Sequence, residues 1–141
     1  MKFYIASKYI ENHSINTKIY NALIDKGYEV FLPKSINIDA KTDKEMYQVA
    51  EICYDEIDNT DIFLAVFPFG WSVSAEIGYA IKIKREKNRK MRIMLFDNNS
   101  DTENMEKLLQ EAMISPYFEP DLNVSSIEEL MDILKKINCD V

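Results

Sequence analysis

One run constrains the fold of this chain more than any other: Asp61 to Ala80, reading DIFLAVFPFGWSVSAEIGYA. It opens with Ile62 to Phe67, an unbroken apolar stretch of strand length. A half-exposed strand would alternate apolar and polar residues, so this pattern predicts a parallel strand covered on both faces. Pro68 and Gly70 end the strand. Trp71 to Ser74 reads as a small polar loop, followed by a helix with Glu76 in its first turn and Gly78 and Ala80 as small residues for close packing. In open α/β sheets, ligands bind beyond the carboxyl ends of strands, where loops meet helix N-termini. Glu76, Ser72 and Ser74 fall at such a place.

The rest of the chain supplies partners for that strand. Lys2 to Ala6 reads as a first strand ending in Ser7 and Lys8. A helix from about Ser14 to Lys26 follows, with Ile15, Ile19, Ala22 and Leu23 at helical spacing and Gly27 as its C-terminal stop. Tyr28 to Leu32 is a second strand ended by Pro33, and residues 34–41 read as a loop. Asp43 is placed to cap a helix running to about Asn59, with Met46, Val49, Ala50, Cys53 and Ile57 as its apolar stripe. Met91 to Phe96 is a fourth strand. Ser100 with Glu103, and Ser125 with Glu128, have the spacing of capping boxes. A short fifth strand is placed near Leu122 to Val124. This alternation predicts a doubly wound α/β domain with a mainly parallel sheet of four or five strands, spanning 1–141 as a single unit.

Composition narrows the function classes. The formal net charge of −7 lacks the basic stripe that a nucleic acid polymer needs. The basic cluster from Lys82 to Arg92 reads as a solvated helix end. No membrane-length apolar run or signal peptide is seen. Cys53 and Cys139 lie far apart without metal spacing, so a reducing cytoplasm is the expected setting. The one histidine, His13, sits in a polar helix start and reads as a surface residue, which leaves a Ser-His-Asp or Cys-His mechanism poorly supplied. Asp55 and Asp58 are one helical turn apart and would offer a metal two ligands, but a solvated helix face explains them as well. No dinucleotide, Walker or zinc motif is present.

What remains is a carboxylate and hydroxyls at strand ends. Glu76 has two readings. As a first-turn residue it complements the helix dipole. As a nucleophile it attacks an anomeric carbon, forming a glycosyl-enzyme that water or another acceptor resolves. Ser72 and Ser74, with helix-terminal N–H groups, suit a phosphate or sugar hydroxyls. Tyr4, in the adjacent first strand, is placed to donate to the carboxylate, or is simply an aromatic strand residue. Trp71 offers a face on which a base or nicotinamide ring can stack, or plugs the helix start.

At these residues the chain resembles the nucleoside 2-deoxyribosyltransferases and their relatives that hydrolyse nucleoside 5′-monophosphates. The resemblance runs through FYIAS, GYEVFLP, NTDIFLAVF and AEIGYAI, and so through most of the chain. It implies a flavodoxin-like fold, cleavage or transfer at an N-glycosidic bond, Glu76 as nucleophile and Tyr4 as the tyrosine that orients it. It implies no metal or organic cofactor, a small nucleoside or nucleotide substrate, and dimers or higher homo-oligomers; an apolar surplus at Met113, Ile114, Tyr117 and Phe118 is the expected contact. The chain departs from the transferase pattern twice. Eight residues before Asp61 the family aspartate is replaced by Cys53, with Glu51 and Asp55 the nearest carboxylates. Six residues before Glu76 stands Gly70 where an aspartate is common. Asp55 is then the expected acid for the leaving base, with Ser7 and Asp55 on the rim. Two other classes stay open: a nucleotide-binding module without catalysis, and a TIR-type NAD glycohydrolase, which the tryptophan and serines shortly before a glutamate also resemble.

Overall fold

The computed structural model describes residues 1–33, 41–88, 90–98 and 121–139. Five strands, β1 (Lys2–Ala6), β2 (Glu29–Phe31), β3 (Ile62–Val66), β4 (Arg92–Phe96) and β5 (Leu122–Val124), alternate with helices α1 (His13–Asp25), α2 (Asp43–Asp58) and α3 (Trp71–Glu86). A helix α4 (Ile127–Cys139) closes the described chain. The strands form one sheet in the order β2-β1-β3-β4-β5, and every pairing is parallel. This is the flavodoxin-like doubly wound order. Residues 34–40 of the expected loop, the Ser100–Glu103 capping box and the apolar group at Met113, Ile114, Tyr117 and Phe118 lie outside the described residues.

Strand β3 is the hub. All five of its residues are buried, and it pairs with β1 on one side and β4 on the other. Side chains alternate across the sheet, so each strand feeds two cores. Phe3, Ile5, Ile62, Leu64 and Val66 pack with Ile19 and Leu23 of α1 and with Leu130 and Leu134 of α4. Tyr4, Ala6, Phe63 and Ala65 face the other way, against Cys53 and Ile57 of α2 and Val73, Ile77, Ala80 and Ile83 of α3. The first strand therefore delivers Tyr4 to the face that α3 covers.

Helix ends refine the sequence reading. After α1, Gly27 takes φ 81°, a left-handed backbone that favours glycine. The N–H of Gly27 donates to the carbonyl of Ile24 and that of Tyr28 to the carbonyl of Leu23, which closes the helix as expected. Two caps move by one residue. Thr42, not Asp43, caps α2: its hydroxyl accepts from the Glu45 N–H while the Glu45 carboxylate accepts from the Thr42 N–H. At α4 the Ser126 hydroxyl accepts from the Glu129 N–H, and the Glu129 carboxylate accepts from the N–H and hydroxyl of Ser125. Thr42→Ala should lower stability by about 1 kcal/mol, read as a shift in the midpoint of chemical denaturation.

Helix α3 begins earlier than its sequence suggests. Gly70 is its N-cap and Trp71 its first residue, so the stretch read as a polar loop, Trp71 to Ser74, is already helical. Glu76 then lies in the second turn, and the first turn carries no acidic residue. The dipole-complementing reading of Glu76 loses its basis, since that effect is confined to the first turn. Gly78 is also not a packing contact: a Cβ there would meet nothing within 4 Å.

Candidate active site

Glu76 is drawn inward by its place on α3. Val73, Ile77, Ala80 and Ile83 form the buried stripe of this helix, and Glu76 sits three residues after the first and four before the third. A carboxylate in that register points toward the sheet. Its Oε2 is buried and has no hydrogen-bond partner. Burial lifts the Glu76 carboxyl to a pKa of about 7, while the neighbouring Tyr4 hydroxyl pulls it back down.

Tyr4 approaches from β1 directly beneath. It is wholly buried, and its ring lies between two others in cross-strand register. The Phe31 ring is 5.4 Å away and the Phe63 ring 5.5 Å, the latter almost coplanar in orientation at 7°. This packing fixes the ring and excludes water from its hydroxyl. Burial, and then the charge of Glu76, hold that hydroxyl well above the usual tyrosine range. Tyr4 Oη is near enough to Glu76 and to Cys53 to influence both, yet it too has no partner at hydrogen-bonding geometry. Tyr4→Phe should leave stability within about 1 kcal/mol, because a buried hydroxyl without a partner contributes little to folding. It should slow any reaction at Glu76 by roughly tenfold, about 1.4 kcal/mol of barrier. It should also move the acid limb of the pH profile to higher pH, since the hydroxyl holds the Glu76 pKa down.

Two cavities lie near this pair and share Ser72 in their linings. One, of about 260 Å³, opens between α2 and α3; Met46, Val49, Ala50, Cys53 and Tyr54 line it from α2, and Ser72, Ala75 and Glu76 from α3. The other, of about 670 Å³, lies beyond the carboxyl ends of β1 and β3 and is lined by residues from Lys8 to Glu11, by Phe69 to Ser72 and by Ser74. In a doubly wound sheet with this strand order, the end of β1 and β3 is the switch point at which ligands bind.

The predicted residues divide between these places. Glu76 and Tyr4 come together. Ser72 joins the two cavities, while Gly70, Trp71 and Ser74 line the larger one. The Ser74 hydroxyl donates to the Gly70 carbonyl of its own helix at 3.0 Å. Trp71 is 97 % exposed, so it does not plug the helix start. Ser7 is half-buried and its hydroxyl accepts from Asn12 at 3.1 Å, outside the lining of either cavity. Asp55 is exposed on α2 and lines neither cavity. Its charge instead acts on Tyr79, whose hydroxyl donates to Asp58 at 2.7 Å and whose ring packs 4.4 Å from that of Tyr54. That cluster ties α2 to α3 along the cavity wall.

Three contributors escape the sequence reading. Cys53 stands there in an apolar stripe and in place of the family aspartate, with no role given it; the structure sets its thiol, its pKa raised by burial, against Tyr4 and within the Glu76 cavity. Tyr54 is the aromatic wall of that cavity. Asn12 is buried and holds the loop after β1 against the loop after β3, donating to Ser7 and to the carbonyl of Pro68. Its signal, a polar residue just before an amphipathic helix, is shared by countless surface residues.

Among the described residues, no group of three or more His, Cys, Asp or Glu side chains is arranged to hold a metal ion, and no helix is long and apolar enough to cross a membrane. No protein-family model and no curated protein matches the chain. Solved structures do. A 2-deoxyribosyltransferase from the psychrotolerant bacterium Bacillus psychrosaccharolyticus aligns with a TM-score of 0.69 and 17 % identity, over 92 % of this chain and 90 % of its own. A conserved protein from Enterococcus faecalis V583 aligns at 0.61 and 18 %, over 96 % and 98 %. The chain shares with the first of these the flavodoxin-like α/β fold of a 2-deoxyribosyltransferase.

Proposed function

We propose that this protein cleaves or transfers at the N-glycosidic bond of a nucleoside or nucleotide, with Glu76 as the nucleophile. The observation that carries this reading is the Glu76 carboxylate in the cavity between α2 and α3, its Oε2 buried without a hydrogen-bond partner and the Tyr4 hydroxyl beside it. An anion held out of water is suited to meet the positive charge that develops at an anomeric carbon. Structural likeness to a 2-deoxyribosyltransferase supports nucleoside glycosyl transfer in general.

The roles follow from position. Glu76 attacks C1′ and forms a glycosyl ester; water or a second base then takes the sugar from it. Tyr4 orients the carboxylate and stabilises its charge. The smaller cavity takes the base, against Tyr54 and the apolar side chains of α2. The larger takes the remainder of the substrate. There α3 starts without a side-chain cap, so its first-turn N–H groups, the Ser72 hydroxyl and Lys8 suit sugar hydroxyls or a 5′-phosphate.

Incubation with nucleosides, nucleoside monophosphates and NAD, followed by chromatography of free base, tests the reading. Base release that depends on Glu76 is expected. Ligand that raises the melting temperature but stays intact would instead make this a nucleotide-binding module.

A further inference from the structure

A base that leaves a neutral N-glycoside must be protonated as it goes, or it departs as a poor anionic leaving group. The walls of the Glu76 cavity are therefore informative. Four of its α2 residues are Met46, Val49, Ala50 and Cys53, and the one carboxyl among its described lining residues is Glu76 itself. Glu76 must be anionic to attack, so it cannot also be the acid. Asp55, the nearest candidate by sequence, is exposed beside Tyr79 and does not line the cavity. The Cys53 thiol and the Tyr4 hydroxyl are both made weaker acids by burial.

We propose, resting on the N-glycosidase reading above, that the substrate is an N-glycoside whose base already carries a positive charge and leaves neutral, such as an N-glycosyl pyridinium or an N7-alkylated purine. The step then balances without an acid. Glu76 Oε forms a bond to C1′, the C1′–N bond breaks, and its electron pair passes to the ring nitrogen and cancels the positive charge. Water then attacks C1′, the Glu76 carboxylate is regenerated, and one proton is released to solvent for each bond hydrolysed. A cationic ring also complements Glu76. It gives the carboxylate an opposite charge in a mostly apolar cavity, which favours the ionised form that the reaction needs. Tyr54 on the opposite wall supplies an aromatic face for the ring.

The test compares matched pairs on the intact protein. Nicotinamide riboside, its 5′-monophosphate and NAD are set against adenosine, uridine and their 5′-monophosphates, and 7-methylguanosine against guanosine, with 2-deoxyribosides in parallel. Free base is read by chromatography and proton release in weak buffer. Cationic substrates should exceed their neutral partners at least a hundredfold in kcat/KM, with one proton released per base. Neutral nucleosides cleaved as fast as the cationic set would overturn this inference and leave the N-glycosidase reading standing. Cleavage of neither set, in protein whose melting temperature confirms folding, would overturn both.

Discussion

Glu76→Gln should reduce base release by at least about a thousandfold while leaving affinity for a neutral nucleoside within a few-fold. The amide keeps the shape of the side chain and removes the charge that attacks C1′, so the loss falls on the chemical step. Removing a nucleophile from a covalent mechanism is among the largest single effects known in enzymes. The wild-type profile should carry the mark of the same group. Burial holds Glu76 at a pKa of about 7, so kcat/KM should fall about tenfold for each pH unit below 7 and level off above it. The groups that face Glu76 are Tyr4 from β1 and Cys53 from α2; burial raises both, so neither should add a second limb between pH 5 and 8. Steady-state kinetics of wild type and variant, with binding measured separately by calorimetry, distinguishes this from simple loss of folding.

The same substitution should make the protein more stable at alkaline pH. The Glu76 carboxyl lies near 7 in the folded chain against an ordinary value of 4.5. The folded state therefore holds its proton more tightly than the unfolded chain. Below pH 4.5 the group is neutral in both states and has no effect. As pH rises from 4.5 to 7 the unfolded chain ionises first and stability falls; above 7 the full penalty is present. That penalty is on the order of 3 kcal/mol. Glu76→Gln removes it, and the amide can donate to Tyr4 Oη, which otherwise has no partner. Melting temperatures should differ by roughly 5–8 °C at pH 8 and converge near pH 4. Equal stability at both pH values would mean that the carboxylate is not desolvated. Stability given up at a buried charge is a familiar trade for activity.

How much of this was legible beforehand differs by residue. The buried strand β3 could be read because a parallel strand covered on both faces leaves no polar position from Ile62 to Val66. Gly27 could be read because it ends a periodic segment and only a left-handed residue fits there. The start of α3 could not: Pro68, Gly70 and two serines signal a loop, while Trp71 to Ser74 are helical because Gly70 serves as N-cap and Val73 already packs in the core. That shift of a turn changes the meaning of Glu76. With Val73, Ile77 and Ala80 on one stripe, a glutamate between them is a charge at a core-facing position, and the helical spacing held that signal. Asp55 shows the converse. Its distance along the chain from Asp61 suggested a site residue, but α2 turns Cys53 to the cavity and Asp55 to solvent. The cavity between α2 and α3 depends on how two helices lean together, which no local pattern records.

The most direct test of Glu76 as nucleophile is to catch the sugar on it. Protein quenched in acid during turnover, digested and analysed by mass spectrometry, should carry one added glycosyl group on the peptide that contains Glu76, and the group should be absent in Glu76→Gln. An adduct on another residue, or full base release by the Glu76→Gln protein, would contradict the account.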